Sequence, residues 1–295
     1  MAGIGLRIGA LGPLEVHLGG EPVPIGSGKQ RAVLGILFAH GGRVVSTDRL
    51  IDELWTADDS ADHQNALWVH ISNLRKVLGS DTPVLVTRTP GYLLDVTRVS
   101  SDIAEFERLL AEGRALADTD PAAAALVLGE ALGLWRGRPY EDFTYDSWAE
   151  PEISRLNELR MDAVELRIDC DLRRGLTTEL VGELEGLVRE HPLRERLTGS
   201  LMLALYRSGR QADALRACQR LRTRLVDELG VDLSTAIQQL EDRIVSGDPA
   251  LIAATSSEAR RGPAVRATRC VKRSPPGPRA RCIGSTSRRL VEKSC

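Results

Sequence analysis

The sequence predicts a mainly α chain in two parts: a small N-terminal α+β unit, then an all-α stretch of paired helices. Three observations lead there. Residues 4–26 alternate apolar and polar around Gly-rich turns, and "VLVTRTPGYLLDV" reads as two further short strands. Between these stretches, and again throughout residues 101–249, apolar residues recur at helical spacing. Charge follows the same division. Residues 1–100 hold nine Lys and Arg against ten Asp and Glu, residues 101–249 nineteen against twenty-nine, and residues 250–295 eleven against two, within a net charge of −2.

In "HLGGEP", Gly19 and Gly20 supply the positive φ angles of a hairpin turn, so the first strands form a small antiparallel sheet. Ser27 caps a first helix from about Lys29 to His40, with Ala32, Val33, Ile36, Leu37 and His40 on its inner face. "GGRVV" breaks it and adds a short strand. Ser46 caps a second helix whose inner stripe is Leu50, Ile51 and Leu54. Ser60 caps a third, from about Ala61 to Leu78, ended by Gly79. A hairpin turning at Arg88-Thr89-Pro90-Gly91 closes the unit. Sheet, three helices and terminal hairpin make the layout of a winged helix-turn-helix.

"IGSGKQRAVL" has the look of a phosphate loop but lacks its spacing. Val23 stands where the first Gly belongs, Gln30 replaces the magnesium-binding hydroxyl, and no long apolar strand leads in. It is the start of the first helix, where Lys29, Arg31 and free amide donors are candidates to face a DNA phosphate. A helical wheel of the third helix at 100° per residue puts Leu67, Ile71, Leu74 and Leu78 within about 60° of one another, a buried stripe. The opposite side holds Asn65, Val69, Ser72, Asn73 and Lys76 and no acid. Amides pair with adenine, and a small apolar group touches a thymine methyl, so this face suits a major groove. Asn65 and Asn73 are the base-edge candidates, Arg75 and Lys76 the phosphate candidates, and Arg88 at the hairpin tip the candidate for a minor groove.

No nucleophile motif, metal cluster or cofactor loop is evident, so neither an enzyme nor a cofactor is expected. The five cysteines, Cys170, Cys218, Cys270, Cys282 and Cys295, are odd in number and contain no C-x-x-C pair, which argues against a disulfide framework and a zinc site. His63 and His70 lie two turns apart, too far to share a metal. No apolar run approaches the roughly 20 residues of a membrane span, and "MAGIGLRIGALG" carries no signal-peptide pattern, so a cytoplasmic location is expected.

From Ser101 onward "DIAEFERLLAEGRALAD" and "DPAAAALVLGEALGLWRG" form one helix pair, and a long helix follows, entered through Pro151. Three more helices end near Gly230, and Leu201, Ala204, Leu205, Tyr206, Gly209, Ala214 and Leu215 stand at tetratricopeptide-like offsets. Such repeats leave a concave surface for a partner. Trp135 and Trp148, flanking "RGRPYEDFTYDS", are read as packing aromatics. The expected division is 1–98, 101–249 and a basic, Pro- and Ser-rich disordered tail at 250–295. The tail fits either added non-specific DNA affinity or a truncated or frameshifted reading frame.

The stretches "GSGKQRAVLGILF", "GGRVVSTDRLIDELW", "NALWVHISNLRKVLG" and "TRTPGYLL", followed by "ALGLWRGRPYEDF" and "HPLRERLTGSLMLALYRSGRQADALRACQRLRTRLVDELGVDLS", resemble the Streptomyces antibiotic regulatory protein (SARP) family over about residues 6–251. In "VDLS", Leu233 replaces the proline usual in relatives. The resemblance implies an OmpR-like winged helix joined to a tetratricopeptide-like bacterial transcriptional activation domain. It implies an activator that binds promoter direct repeats about one helical turn apart as a homodimer, contacts RNA polymerase, and often controls a secondary-metabolite cluster such as one for an antibiotic. It assigns Asn65, Val69 and Asn73 to the major groove, Arg88 to the minor groove, and Arg75 and Lys76 to the backbone. Larger family members carry an ATPase domain where this chain has its tail, and no phosphate loop appears here. The competing reading is a non-catalytic tetratricopeptide-type adaptor with weak DNA binding.

Overall fold

The computed structural model describes residues 5–55, 62–79 and 84–253. Its N-terminal part runs β1 (Leu6–Gly9), β2 (Glu15–Leu18), β3 (Glu21–Pro22), α1 (Gly28–Ala39), β4 (Val45–Ser46), α2 (Thr47–Leu54), α3 (His63–Leu78), β5 (Leu85–Arg88), β6 (Gly91–Leu94) and β7 (Ser100–Ser101). The remainder is helical: α4 (Asp102–Leu116), α5 (Pro121–Gly133), α6 (Glu150–Arg173), α7 (Thr178–Glu190), α8 (Glu195–Arg207), α9 (Gln211–Leu229), α10 (Thr235–Val245) and α11 (Ala250–Ala253). The fold is mainly α, a winged helix-turn-helix followed by helical pairs, as the periodicities predict.

Two sheets frame the first part. The order β3-β2-β1-β7 sets Ile8 opposite Val16 across an antiparallel pair and runs β7 parallel to β1. The order β4-β6-β5 places the closing hairpin beside the two-residue strand that precedes α2. At Gly91 a Cβ would lie 1.9 Å from the Val45 carbonyl oxygen, so only glycine lets β6 approach β4 this closely. Gly19 and Gly20, with φ of 62° and 92°, make the predicted turn between β2 and β3.

The caps explain where the helices start. Ser27 Oγ accepts the Gln30 amide at 3.4 Å while Gln30 Oε1 accepts the Ser27 amide at 3.2 Å, a reciprocal box that opens α1. Ser46 Oγ accepts the Arg49 amide at 3.2 Å and opens α2. The third helix starts at His63, later than the sequence suggested, and Asp62 caps it by accepting the Asn65 amide at 3.1 Å. Ser60 and Ala61 lie outside the described residues. On α1 the buried face is broader than the predicted stripe, taking in Leu34 and Phe38, because Trp148 of the helical half lies against the helix at Gly35.

That contact belongs to a continuous core. Buried residues of β1, β2, α1, α3 and the hairpin join Phe106 of α4, Leu128 of α5, Tyr140, Phe143, Trp148 and Leu156 in one hydrophobic cluster. Asp102, 2% exposed, fastens the junction. Its carboxylate accepts the Ala10 and Leu11 amides at 2.9 and 3.0 Å and pairs with Arg136 at 2.8 Å. Gly9 makes room for this pair: a Cβ there would sit 2.6 Å from the Arg136 guanidinium and 2.8 Å from the Asp102 carboxylate. The loop after α5 returns to the first sheet, with the Arg136 and Tyr140 amides donating to Leu11 and Ala10 carbonyls at 2.8 and 2.9 Å.

A second core joins the later part of α6 to α7–α11. Leu201, Ala204, Leu205, Tyr206 and Ala214 are buried, Leu215 is half-buried, and Gly209 turns the chain at φ 77°. These are the offsets picked out as tetratricopeptide-like. Leu233 is buried in the same core. Trp148 packs against Phe143 and Tyr140, and Trp135 meets Phe106 edge-on at 5.3 Å, as packing aromatics. Of the segment expected as tail, residues 250–253 form α11, with Leu251 buried and its carbonyl accepting Arg207 Nε at 2.8 Å. The rest of that segment lies outside the described residues. No described helix is long and apolar enough to cross a membrane.

Candidate nucleic-acid interface

The helix α3 is seated by its apolar edge. Leu67, Ile71, Leu74 and Leu78 are each 1% exposed. The sequence HQNALWVHISNLRKVL contains no Asp or Glu, so the outward face carries no acid to repel a phosphate. Asn65, Val69, Ser72 and Lys76 are exposed on that face, and Asn73 is half-buried at its edge. Asn65 is held at the first turn, because Asp62 accepts its side-chain amide as well as its backbone amide. Its side-chain oxygen accepts no hydrogen bond from a described residue.

Arg75 is turned back onto the hairpin. Its Nε donates to the Leu85 carbonyl at 3.0 Å, its Nη2 donates to Thr87 Oγ1 at 2.7 Å, and its guanidinium lies 6.0 Å from the Tyr92 ring centre. It binds α3 to β5, and Lys76 beside it is the cation left outward. Arg88 is exposed at the end of β5, next to the Thr89-Pro90 turn, whose peptide bond is cis. Hairpin and helix face are therefore held as one surface with Arg88 at its rim.

The two basic residues of α1 have partners within the protein. Lys29 Nζ donates to the Leu54 carbonyl at 3.0 Å and lies 4.6 Å from the Trp55 ring centre. Trp55 in turn stacks on His63 and His70 at 5.1 and 6.2 Å. Burial, then the neighbouring Lys29 charge, lowers the His70 pKa below the ordinary imidazole value. Arg31 donates to the Leu14 carbonyl at 2.8 Å and pairs with Asp142 at 2.5 Å. The Gln30 amide is already taken by the capping box.

Sequence reasoning passed over Trp68, which is 70% exposed between the seated edge and the amide-bearing face. The wheel at 100° per residue contained the signal, since Trp68 falls roughly 90° from the centre of the Leu/Ile stripe, too far round to be core. Taken together the surface offers amides, a hydroxyl, a cation, a methyl-bearing side chain and an exposed indole, with an arginine on the adjoining hairpin. Such groups read base edges and hold phosphates.

Comparison with known proteins identifies two domain families along the chain. Residues 20–94 match the family described as "Transcriptional regulatory protein, C terminal", and residues 101–245 match "Bacterial transcriptional activator domain". The chain is 41% identical over 248 residues to the regulatory protein AfsR of Streptomyces coelicolor, covering 83% of this chain and 25% of AfsR. It is 37% identical over 256 residues to the regulatory protein DnrI of Streptomyces peucetius, covering 83% of this chain and 94% of DnrI. The solved structure of Mycobacterium tuberculosis EmbR, in complex with a low-affinity phosphopeptide, superposes with a TM-score of 0.77 at 34% identity, covering 86% of this chain and 69% of that one. The chain thus spans a quarter of AfsR and nearly all of DnrI. With both domain families matched in order and relatives of this similarity, the chain belongs to the SARP family of transcriptional regulators.

Proposed function

We propose that this protein is a sequence-specific DNA-binding transcriptional activator in the cytoplasm, without catalytic activity. Residues 1–98 carry DNA recognition and residues 101–249 carry activation. The observation that supports this most is the acid-free outward face of α3, joined through Arg75 to an Arg-tipped hairpin. Asn65, Asn73, Val69 and Ser72 read base edges, Lys76 holds a phosphate, and Arg88 enters the adjoining minor groove. Arg75 fixes the angle between helix and hairpin from within. Lys29 and Arg31, already engaged inside the protein, contribute to the local field at the α1 terminus and not to direct readout.

Family membership supports binding to promoter direct repeats as a homodimer, recruitment of RNA polymerase and control of a secondary-metabolite cluster. In a gel-shift titration on its own promoter region, Asn73→Ala and Arg88→Ala each weaken specific binding by about 1–3 kcal/mol if they touch bases. Unchanged affinity in both variants overturns the assignment and favours an adaptor with weak, sequence-blind binding.

A further inference from the structure

In the helical half, acids outnumber bases, and most of its arginines are paired with carboxylates. Arg210, Arg216 and Arg222 of α9 and the turn before it reach Asp213, Asp213 and Glu241 at 2.8, 2.7 and 2.5 Å. Six arginines there reach no carboxylate among the described residues, and three of the six gather at one place. Arg189 on α7 and Arg220 and Arg224 on α9 form no ion pair or hydrogen bond with any described residue. All three line one groove of about 610 Å³ between α7 and α9, which Thr198 of α8 also lines. Arg220 and Arg224 are one helical turn apart and so share a face of α9.

The groove has two further features. Val188 and Leu221 give it an apolar lining, and Thr198 of α8 lines it as well. Thr198 is 1% exposed, and its Oγ1 has no hydrogen-bond partner. A buried hydroxyl left unmet is costly, and a groove ligand that bonds it recovers that cost. Glu185 stands at the rim, already within 3.9 Å of Arg210.

We infer that this groove binds an acidic peptide segment of a protein partner. Its carboxylates meet Arg189, Arg220 and Arg224, one apolar side chain lies against Val188 and Leu221, and a polar group bonds Thr198 Oγ1. Guanidinium groups favour carboxylates through forked, charge-assisted bonds. The apolar lining favours a peptide over a nucleic-acid backbone, which has no side chain to bury there. The site is remote in sequence from α3, so its test is independent of the DNA-binding reading.

The test is selection from a phage-displayed random-peptide library on the full chain, with the Arg220→Glu/Arg224→Glu double variant as counter-selection. Peptides that combine Asp or Glu with one large apolar residue are expected to be enriched. Fluorescence polarisation with a synthesised winner should show at least about a tenfold loss of affinity in the double variant. Thr198→Val, which keeps the volume and removes the hydroxyl, should weaken the same peptide about threefold or more. Gel-shift affinity for promoter DNA should be unchanged in both variants, which also certifies their folding. Enrichment of neutral or basic peptides, equal peptide binding by the double variant, or a loss of DNA affinity in place of peptide affinity overturns the inference.

Discussion

The side chains of α3 divide into those the sequence could place and those it could not. Leu67, Ile71, Leu74 and Leu78 are buried and Asn65, Val69, Ser72 and Lys76 exposed because direction on a helix follows from spacing alone. Arg75 was not legible in this way. Its direction is fixed by the Leu85 carbonyl and Thr87 hydroxyl, ten and twelve residues on, whose position depends on how the hairpin folds back. The start of α3 is a local matter: Ser60 and Asp62 are both good cap types, and Asp62 takes the role by bonding Asn65 twice, Ser60 lying outside the described residues. Arg75→Ala should destabilise the protein by about 1–3 kcal/mol in urea unfolding, since two charge-assisted bonds are lost. Arg75→Lys should recover little of it, because an ammonium cannot repeat the fork.

At the scale of elements, the predicted order of strands and helices matches the fold through α9, because most boundaries carry a cap, a Gly turn or a Pro, whereas β7, α10 and α11 are too short or too weakly marked to stand out in the sequence. What period alone could not supply was the environment of α1. Its buried face extends beyond the predicted stripe through Trp148, a residue more than a hundred positions away. The α1–α2–α3 junction has a consequence for pH. Lys29, Trp55, His63 and His70 gather there, and the folded state disfavours protonated His70. A histidine whose pKa is lowered by folding binds more protons when unfolded, so its contribution is full above the unfolded value of about 6.5 and is lost as pH falls below it. Thermal midpoints should therefore drop between pH 7 and pH 5.5, and His70→Gln should flatten that slope. An unchanged slope in the variant would remove His70 from the account.

Across the whole molecule, the change of composition near residue 100 marks a change of secondary structure and not of core. One hydrophobic cluster runs from β1 to α6, and Asp102 holds the seam with two backbone amides and Arg136. No sequence pattern signals this, since Asp102 reads as an ordinary first-turn acid of α4. Asp102→Ala leaves two buried amides without their acceptor and removes one of the two carboxylates that Arg136 meets, Glu15 at 2.6 Å being the other. It should cost about 2–4 kcal/mol in chemical unfolding, chiefly from the orphaned amides, with loss of DNA binding as a downstream effect. A variant of near-native stability would mean that the seam is not rigid. The central claim is that the outward face of α3 reads DNA sequence, and the most direct test is selection of binding sites from a random duplex library by the native chain, Asn73→Ala and Lys76→Ala. The account predicts that Asn73→Ala relaxes preference at one position of the selected site, while Lys76→Ala keeps the preference and lowers affinity uniformly. Identical preferences and affinities in all three proteins would contradict it.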